Sequence, residues 1–78
     1  LVEDEKKVAG FIKKGLTEEF YTVDVAADGE EGLLMATNTE YDLIILDIML
    51  PDINGIELCR RIRNCNIKTP IMMLTAVD

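Results

Sequence analysis

The sequence predicts a doubly wound α/β fold, a parallel sheet with right-handed crossovers and helices on both faces. Three observations carry this. Leu43-Ile44-Ile45-Leu46 and Ile71-Met72-Met73-Leu74 are uninterrupted apolar runs, the pattern of parallel strands buried on both faces. Between such runs, apolar residues recur at spacings of three and four, the period of an amphipathic helix. The two patterns alternate along the chain as strand, helix, strand, helix, strand, helix, strand.

Leu1-Val2 is the stub of a first strand and runs into the acidic pair Glu3-Asp4. Val8, Phe11, Ile12 and Leu16 follow at helical spacing, with Lys6, Lys7, Lys13 and Lys14 elsewhere on the wheel, so a helix with an apolar face is expected there. Tyr21, Val23 and Val25 alternate with Thr22 and Asp24, the signature of a second strand, and Asp28-Gly29 marks a turn after it. Leu33, Leu34, Met35 and Ala36 predict a short helix from Glu30 to about Asn38-Thr39. The third strand, Leu43 to Leu46, ends in Asp47. Pro51-Asp52-Ile53-Asn54-Gly55 is dense in turn formers, and a third helix begins near Gly55. Ile56, Cys59 and Ile62, with Leu58 beside them, form its expected apolar face, and Arg60, Arg61 and Arg63 its solvated one. Pro70 closes the next loop, and the fourth strand, Ile71 to Leu74, finishes at Thr75.

At 78 residues the chain is one domain or part of one, and 49% hydrophobic residues suffice for a small core. Fifteen acidic against eight basic residues give a net charge of −7, with no basic stretch interleaved with aromatics, which argues against nucleic-acid binding by this segment. The longest apolar run falls well short of the roughly 18 residues of a membrane span, and the amino terminus lacks a signal-like core, so a cytoplasmic protein without membrane contact is expected. Cys59 and Cys65 on one helix would be separated by a rise of about 9 Å, too far for a disulfide, and no histidine completes a zinc set. Both read as free thiols.

The chemistry lies where the strands end. A carboxylate at the end of a buried strand must meet solvent, a cation or a reactant, and open α/β sheets bind ligands in the crevice beyond the carboxyl ends of their strands. Glu3, Asp4 and Asp47 would stand together there and repel one another unless a divalent cation neutralises them. Mg²⁺ suits an open acidic cup, since it takes one or two carboxylates and keeps waters for phosphate oxygens; the D-x-D-x-D-G loop of a calcium site is absent. A carboxylate screened by such a cation can itself act as a nucleophile toward phosphorus. Asp47, held by a central strand, is the candidate nucleophile, with Glu3 and Asp4 as metal ligands and Thr75 as a donor to a phosphoryl oxygen. Taken singly, Asp4 could be a helix cap and Thr75 an edge residue; the combination carries the argument. Glu5, Glu18, Glu19, Glu30 and Glu31 read as solvated charges.

These residues resemble the receiver domain of two-component response regulators. The likeness runs over residues 1–78, about the first two thirds of the family fold, and centres on Leu43-Ile44-Ile45-Leu46-Asp47-Ile48-Met49-Leu50-Pro51-Asp52-Ile53-Asn54-Gly55, with the aspartate, the proline four on and the glycine eight on in the family pattern. Val2-Glu3-Asp4-Glu5 resembles the family's acidic pocket and Leu74-Thr75-Ala76 its switch threonine with a small neighbour. The resemblance implies a flavodoxin-like sheet with strands in the order 2-1-3-4, incomplete because the fifth strand and its lysine are missing. It implies Asp47 as phosphoacceptor, Mg²⁺ held by Asp4, Asp47, Glu3 and the main-chain carbonyl of Met49, and Thr75 as phosphoryl contact and switch. It implies a histidine kinase as donor in trans and a possible homodimer. The wording around Met49-Leu50-Pro51-Asp52 looks most like regulators with a winged-helix domain, so DNA would be contacted only through an output domain that this chain lacks. An incomplete stretch of a longer regulator is the reading favoured for such a chain. Lys68 lies before the fourth strand and does not replace the lysine, and Glu19 occupies a turn where the family often has glycine.

Two other readings compete. An aspartate-based phosphohydrolase also forms an acyl phosphate after a buried strand, but position 49 is Met where its second Asp, the general acid, should stand. A receiver-like interaction module would signal by contact alone and take no phosphate. The reading adopted is a signalling phosphoacceptor and not an enzyme turning over an external substrate.

Overall fold

Runs of apolar side chains make the two regular strands of the sheet, β1 (Ile44–Asp47) and β2 (Ile71–Leu74), which pair in parallel with Ile44 opposite Ile71 and Asp47 opposite Leu74. Three helices accompany them, α1 (Lys6–Glu18), α2 (Gly29–Asn38) and α3 (Gly55–Asn64). The computed structural model describes residues 1–74.

The first two expected strands are present as single bridges. Val2 pairs in parallel with Leu46 on one side and with Ala26 on the other. The Val2 N–H donates to Ile45 O at 2.8 Å and the Asp47 N–H to Val2 O at 3.0 Å, while the Glu3 N–H donates to Ala26 O at 3.0 Å and the Ala26 N–H to Leu1 O at 2.8 Å. The extended segments therefore stand in the order 2-1-3-4. With Val2 facing Ala26, the Leu1 amino group donates to Asp24 O at 3.0 Å. The segment meets Val2 in a single bridge at Ala26, and the alternating pattern of Tyr21, Val23 and Val25 does not form a regular strand.

The core gathers on one face of the sheet. Val2, Ala26, Ile44 and Leu46 pack with Ala36 of α2 and with Leu58 and Ile62 of α3, all buried, and Leu46, Leu58 and Ile62 lose all contact with solvent. Fully burying such a side chain contributes roughly 1.5–3 kcal/mol.

Leu43 and Met72, in runs expected to be buried on both faces, are 45% and 51% exposed, and β1 starts at Ile44. In α1 and α3, two apolar residues fall outside their expected places. Phe11 is 81% exposed and Ile56 54% exposed. Each sits two residues from a buried one, Ala9 in α1 and Leu58 in α3, which is about 160° around the helix. The inward stripe of α1 is Ala9 with the half-buried Ile12 and Leu16, and that of α3 is Leu58 with Ile62.

Capping residues set the helix starts. Asp28 is the N-cap of α2, accepting from the Glu31 N–H at 2.8 Å, so Asp28-Gly29 opens the helix and is not a free turn. Asn54 caps α3 in the same way, through the Glu57 N–H at 2.9 Å. Glu57 also pairs with Arg60 and Arg61 on the surface, where such bridges are worth about 0–1 kcal/mol. The Arg63 side chain donates to Ile67 O and Thr69 O, both at 2.8 Å, and ties the end of α3 to the loop before β2.

The end of α1 carries strain. The Phe20 N–H donates to Thr17 O and the Tyr21 N–H to Leu16 O, the paired bonds of a Schellman motif, and Phe20 takes the left-handed position with φ 69°. The left-handed residue is thus Phe20, next to Glu19, whose φ is −93°. A side chain in this region costs roughly 1–2 kcal/mol, and Phe20, 97% exposed, returns no burial. Phe20→Gly is expected to raise stability by about 0.5–1 kcal/mol after the entropy cost of glycine, or about 3–6 °C in melting temperature. A lower melting temperature by calorimetry would contradict this.

Candidate functional site

The carboxyl end of the sheet brings three acidic side chains together. Asp47 ends β1 half-buried, Glu3 follows the Val2 bridge, and Asp4 lies exposed before α1. One carboxylate oxygen from each falls within 4.8 Å of the others. These acids are not occupied as helix caps: the N-cap position of α1 is Glu5, which makes no side-chain capping bond, and α3 is capped by Asn54.

Glu3 is the unusual member. It is only 5% exposed, and its Oε2 has no hydrogen-bond partner. Of the three surroundings the sequence allows such a carboxylate (solvent, a cation or a reactant), solvent is closed to Glu3, which pairs beside Ala26. Burial, then the neighbouring Asp47, then the charges of Asp4 and Glu5, push the Glu3 carboxyl up to about 7. A buried orphan oxygen facing two more carboxylates is a set of hard donors short of positive charge. The residues fit Mg²⁺, with the exposed side of Asp4 leaving room for waters and a phosphate oxygen.

The segment after Asp47 is shaped by short-range bonds. The Met49 N–H donates to Asp47 Oδ1 at 3.2 Å, which restrains the carboxylate and puts Met49 at the rim of the cluster. The Leu50 N–H donates to Ile48 O at 3.2 Å, and the Gly55 N–H returns to Ile48 O at 2.8 Å. Gly55 lets α3 start directly against the end of β1. A Cβ there would overlap the Asp47 carbonyl oxygen and lie 2.9 Å from Ile48 Cα.

Asp52, first read as a turn former, has a larger part. Its Oδ1 accepts the Gly29 N–H and its Oδ2 the Glu30 N–H, both at 2.8 Å. The Gly29 bond first, with that of Glu30, holds its carboxyl below the ordinary range. No sequence signal pairs residues so far apart. Thr75 and its small neighbour Ala76 lie outside the described residues. Cys59 and Cys65 are free, and no described helix is long and apolar enough to cross a membrane.

Comparison with known proteins decides the family. The model for the response regulator receiver domain matches residues 1–78. This chain belongs to the response regulator receiver family. The receiver domain is 51% identical over 77 residues to the transcriptional regulatory protein CusR of Escherichia coli K12, covering 99% of this chain and 34% of that protein. To the response regulator ArlR of Staphylococcus epidermidis it is 54% identical over 76 residues, covering 97% of this chain and 34% of the other. It therefore spans about a third of the length of these relatives. Among solved structures, a Francisella response regulator receiver domain superposes with a TM-score of 0.93 at 40% identity, covering 99% of this chain and 64% of that one. The response regulator TrrA of Thermotoga maritima, solved in complex with Mg²⁺ and BeF, superposes with a TM-score of 0.92 at 40% identity, covering 99% and 67%. The receiver fold is thus established for this chain, with the acidic cluster at the carboxyl edge of its sheet.

Proposed function

We propose that this receiver domain takes a phosphoryl group on Asp47 from a histidine kinase in trans, with Mg²⁺ in the acidic cluster. The observation that carries the proposal is the convergence of Glu3, Asp4 and Asp47 within 4.8 Å, with a Glu3 oxygen left unpartnered. Asp4 and Asp47, Glu3 directly or through water, and the main-chain carbonyl of Met49 would hold the ion. When bound, Mg²⁺ supplies charge neutralisation for the carboxylates and the incoming phosphoryl oxygens.

The remaining work falls to the chain. β1 fixes Asp47 at the open edge, and the Met49 N–H limits rotation of its carboxylate. An Asp47 oxygen forms the new bond to phosphorus as the phosphorus–nitrogen bond of the donor phosphohistidine breaks, its electron pair returning to the imidazole. The product is an acyl phosphate with roughly −1.5 to −2 charges, close to that of other phosphorylated side chains. By the family likeness, Thr75 donates to a phosphoryl oxygen. In the full protein this change would govern an output domain that binds DNA, as the transcriptional relatives suggest, in the cytoplasm.

The full chain incubated with acetyl phosphate and Mg²⁺ is expected to gain the mass of one phosphoryl group, and EDTA to suppress the gain. Absence of any gain in Mg²⁺ would favour a contact-only module. Steady turnover of a generic phosphomonoester would instead revive the phosphohydrolase reading.

A further inference from the structure

We infer that Asp52 is a positioning residue of the phosphoacceptor site: its carboxylate fastens the segment carrying Met49 to the first turn of α2 and thereby sets how tightly the site holds its cation. The inference rests on the reading of Glu3, Asp4, Asp47 and the Met49 carbonyl as the cation site.

The segment leaves β1 with the Ile48 N–H still bonded to Leu74 O at 3.2 Å. Beyond that point the bonds of Met49, Leu50 and Gly55 run back to Asp47 and Ile48, within the same stretch of chain. Asp52 is the exception among the described residues. Its two bonds reach Gly29 and Glu30, 23 and 22 positions away. Both are charge-assisted, and the amino end of a helix favours an anion, so the tie is stronger than two neutral hydrogen bonds.

The first turn of α2 divides its free N–H groups between two carboxylates. Asp28, the helix's own cap, takes Glu31, and Asp52, from another element, takes Gly29 and Glu30. A helix needing only local capping would not require the second acid. The contact is also close: a Cβ on Gly29 would fall 2.5 Å from Ile53 Cγ1 and 3.1 Å from Asp52 Oδ1. Ile53 packs against the core beside this junction. Met49 is thus anchored on one side through Asp47 and on the other through Asp52. A carbonyl ligand holds a cation well only if the backbone carrying it is fixed beforehand, and partners that orient metal ligands typically change affinity 10–100-fold.

The test is a Mg²⁺ titration of the full chain, following the amide NMR signals of Met49 and Glu30. In the unmodified protein both should shift with a common midpoint. Asp52→Ala should raise that midpoint about 10-fold, and the Mg²⁺ concentration that half-saturates phosphorylation by acetyl phosphate should rise with it. Asp52→Asn, which keeps one oxygen acceptor and serves alone if the alanine variant does not fold, should fall between. A merely structural contact would lower the melting temperature and leave the midpoint in place. A folded variant with the unmodified midpoint overturns the inference while the proposed function stands. An unmodified protein that neither binds Mg²⁺ nor takes phosphate overturns both.

Discussion

Asp47→Asn is expected to abolish acyl phosphate formation without weakening the fold. Asn is nearly the same size, and its carbonyl oxygen can still accept the Met49 N–H that Asp47 Oδ1 takes at 3.2 Å. It cannot act as the nucleophile, and loss of a nucleophile commonly reduces turnover by a factor on the order of 10³ or more. Stability should move the other way. Three carboxylates converge here, and Asp47 is one of the groups that raise the Glu3 carboxyl, so removing its charge relieves repulsion in the absence of a cation. Mass spectrometry after acetyl phosphate treatment should show no phosphorylated species, with a melting temperature unchanged or raised. Phosphate retained on the variant would place the acceptor elsewhere.

Gly55→Ala is expected to damage both stability and phosphorylation. The added methyl group would meet backbone atoms of Asp47 and Ile48, which cannot rotate away as the tip of a side chain can. Overpacking of this kind costs about 1–3 kcal/mol, more than the gain in helix propensity from replacing a glycine at the first position of α3. For a domain this small, a loss of about 2 kcal/mol lowers the melting temperature by about 8–16 °C. Relief of the clash requires α3 to draw back from β1. That movement would disturb the Gly55 to Ile48 bond and the segment carrying Met49, so Mg²⁺-dependent phosphorylation should fall as well. A variant with normal melting and normal phosphorylation would show that the junction is looser than described.

The sheet and the acidic cluster were legible in the sequence for the same physical reason. Buried parallel strands need unbroken apolar runs, and charges at the end of such a run mark the carboxyl edge of the sheet, so Leu46 followed by Asp47 and Val2 followed by Glu3-Asp4 give both pieces of information. Pattern reading was weaker where the outcome depended on neighbours. Phe11 and Ile56 matched a helical period yet lie on outward faces, because the period does not say which of two overlapping stripes meets the sheet. The alternation of Tyr21, Val23 and Val25 is real, but alternation does not by itself secure a ladder, and the segment meets Val2 in a single bridge at Ala26. Burial of Glu3 and the tie from Asp52 to α2 depend on contacts between segments more than twenty residues apart, and local composition carries no record of them.

The central claim is that Glu3, Asp4, Asp47 and the Met49 carbonyl surround one cation beside the phosphoacceptor. A crystal structure of the full protein grown with Mg²⁺ and beryllium fluoride tests it most directly. The prediction is an ion about 2.1 Å from oxygens of Asp4, Asp47 and Met49, with Glu3 bound directly or through water and the fluoride group on Asp47. An intact receiver fold with Asp47 turned away from Asp4, and no ion between them, would contradict it.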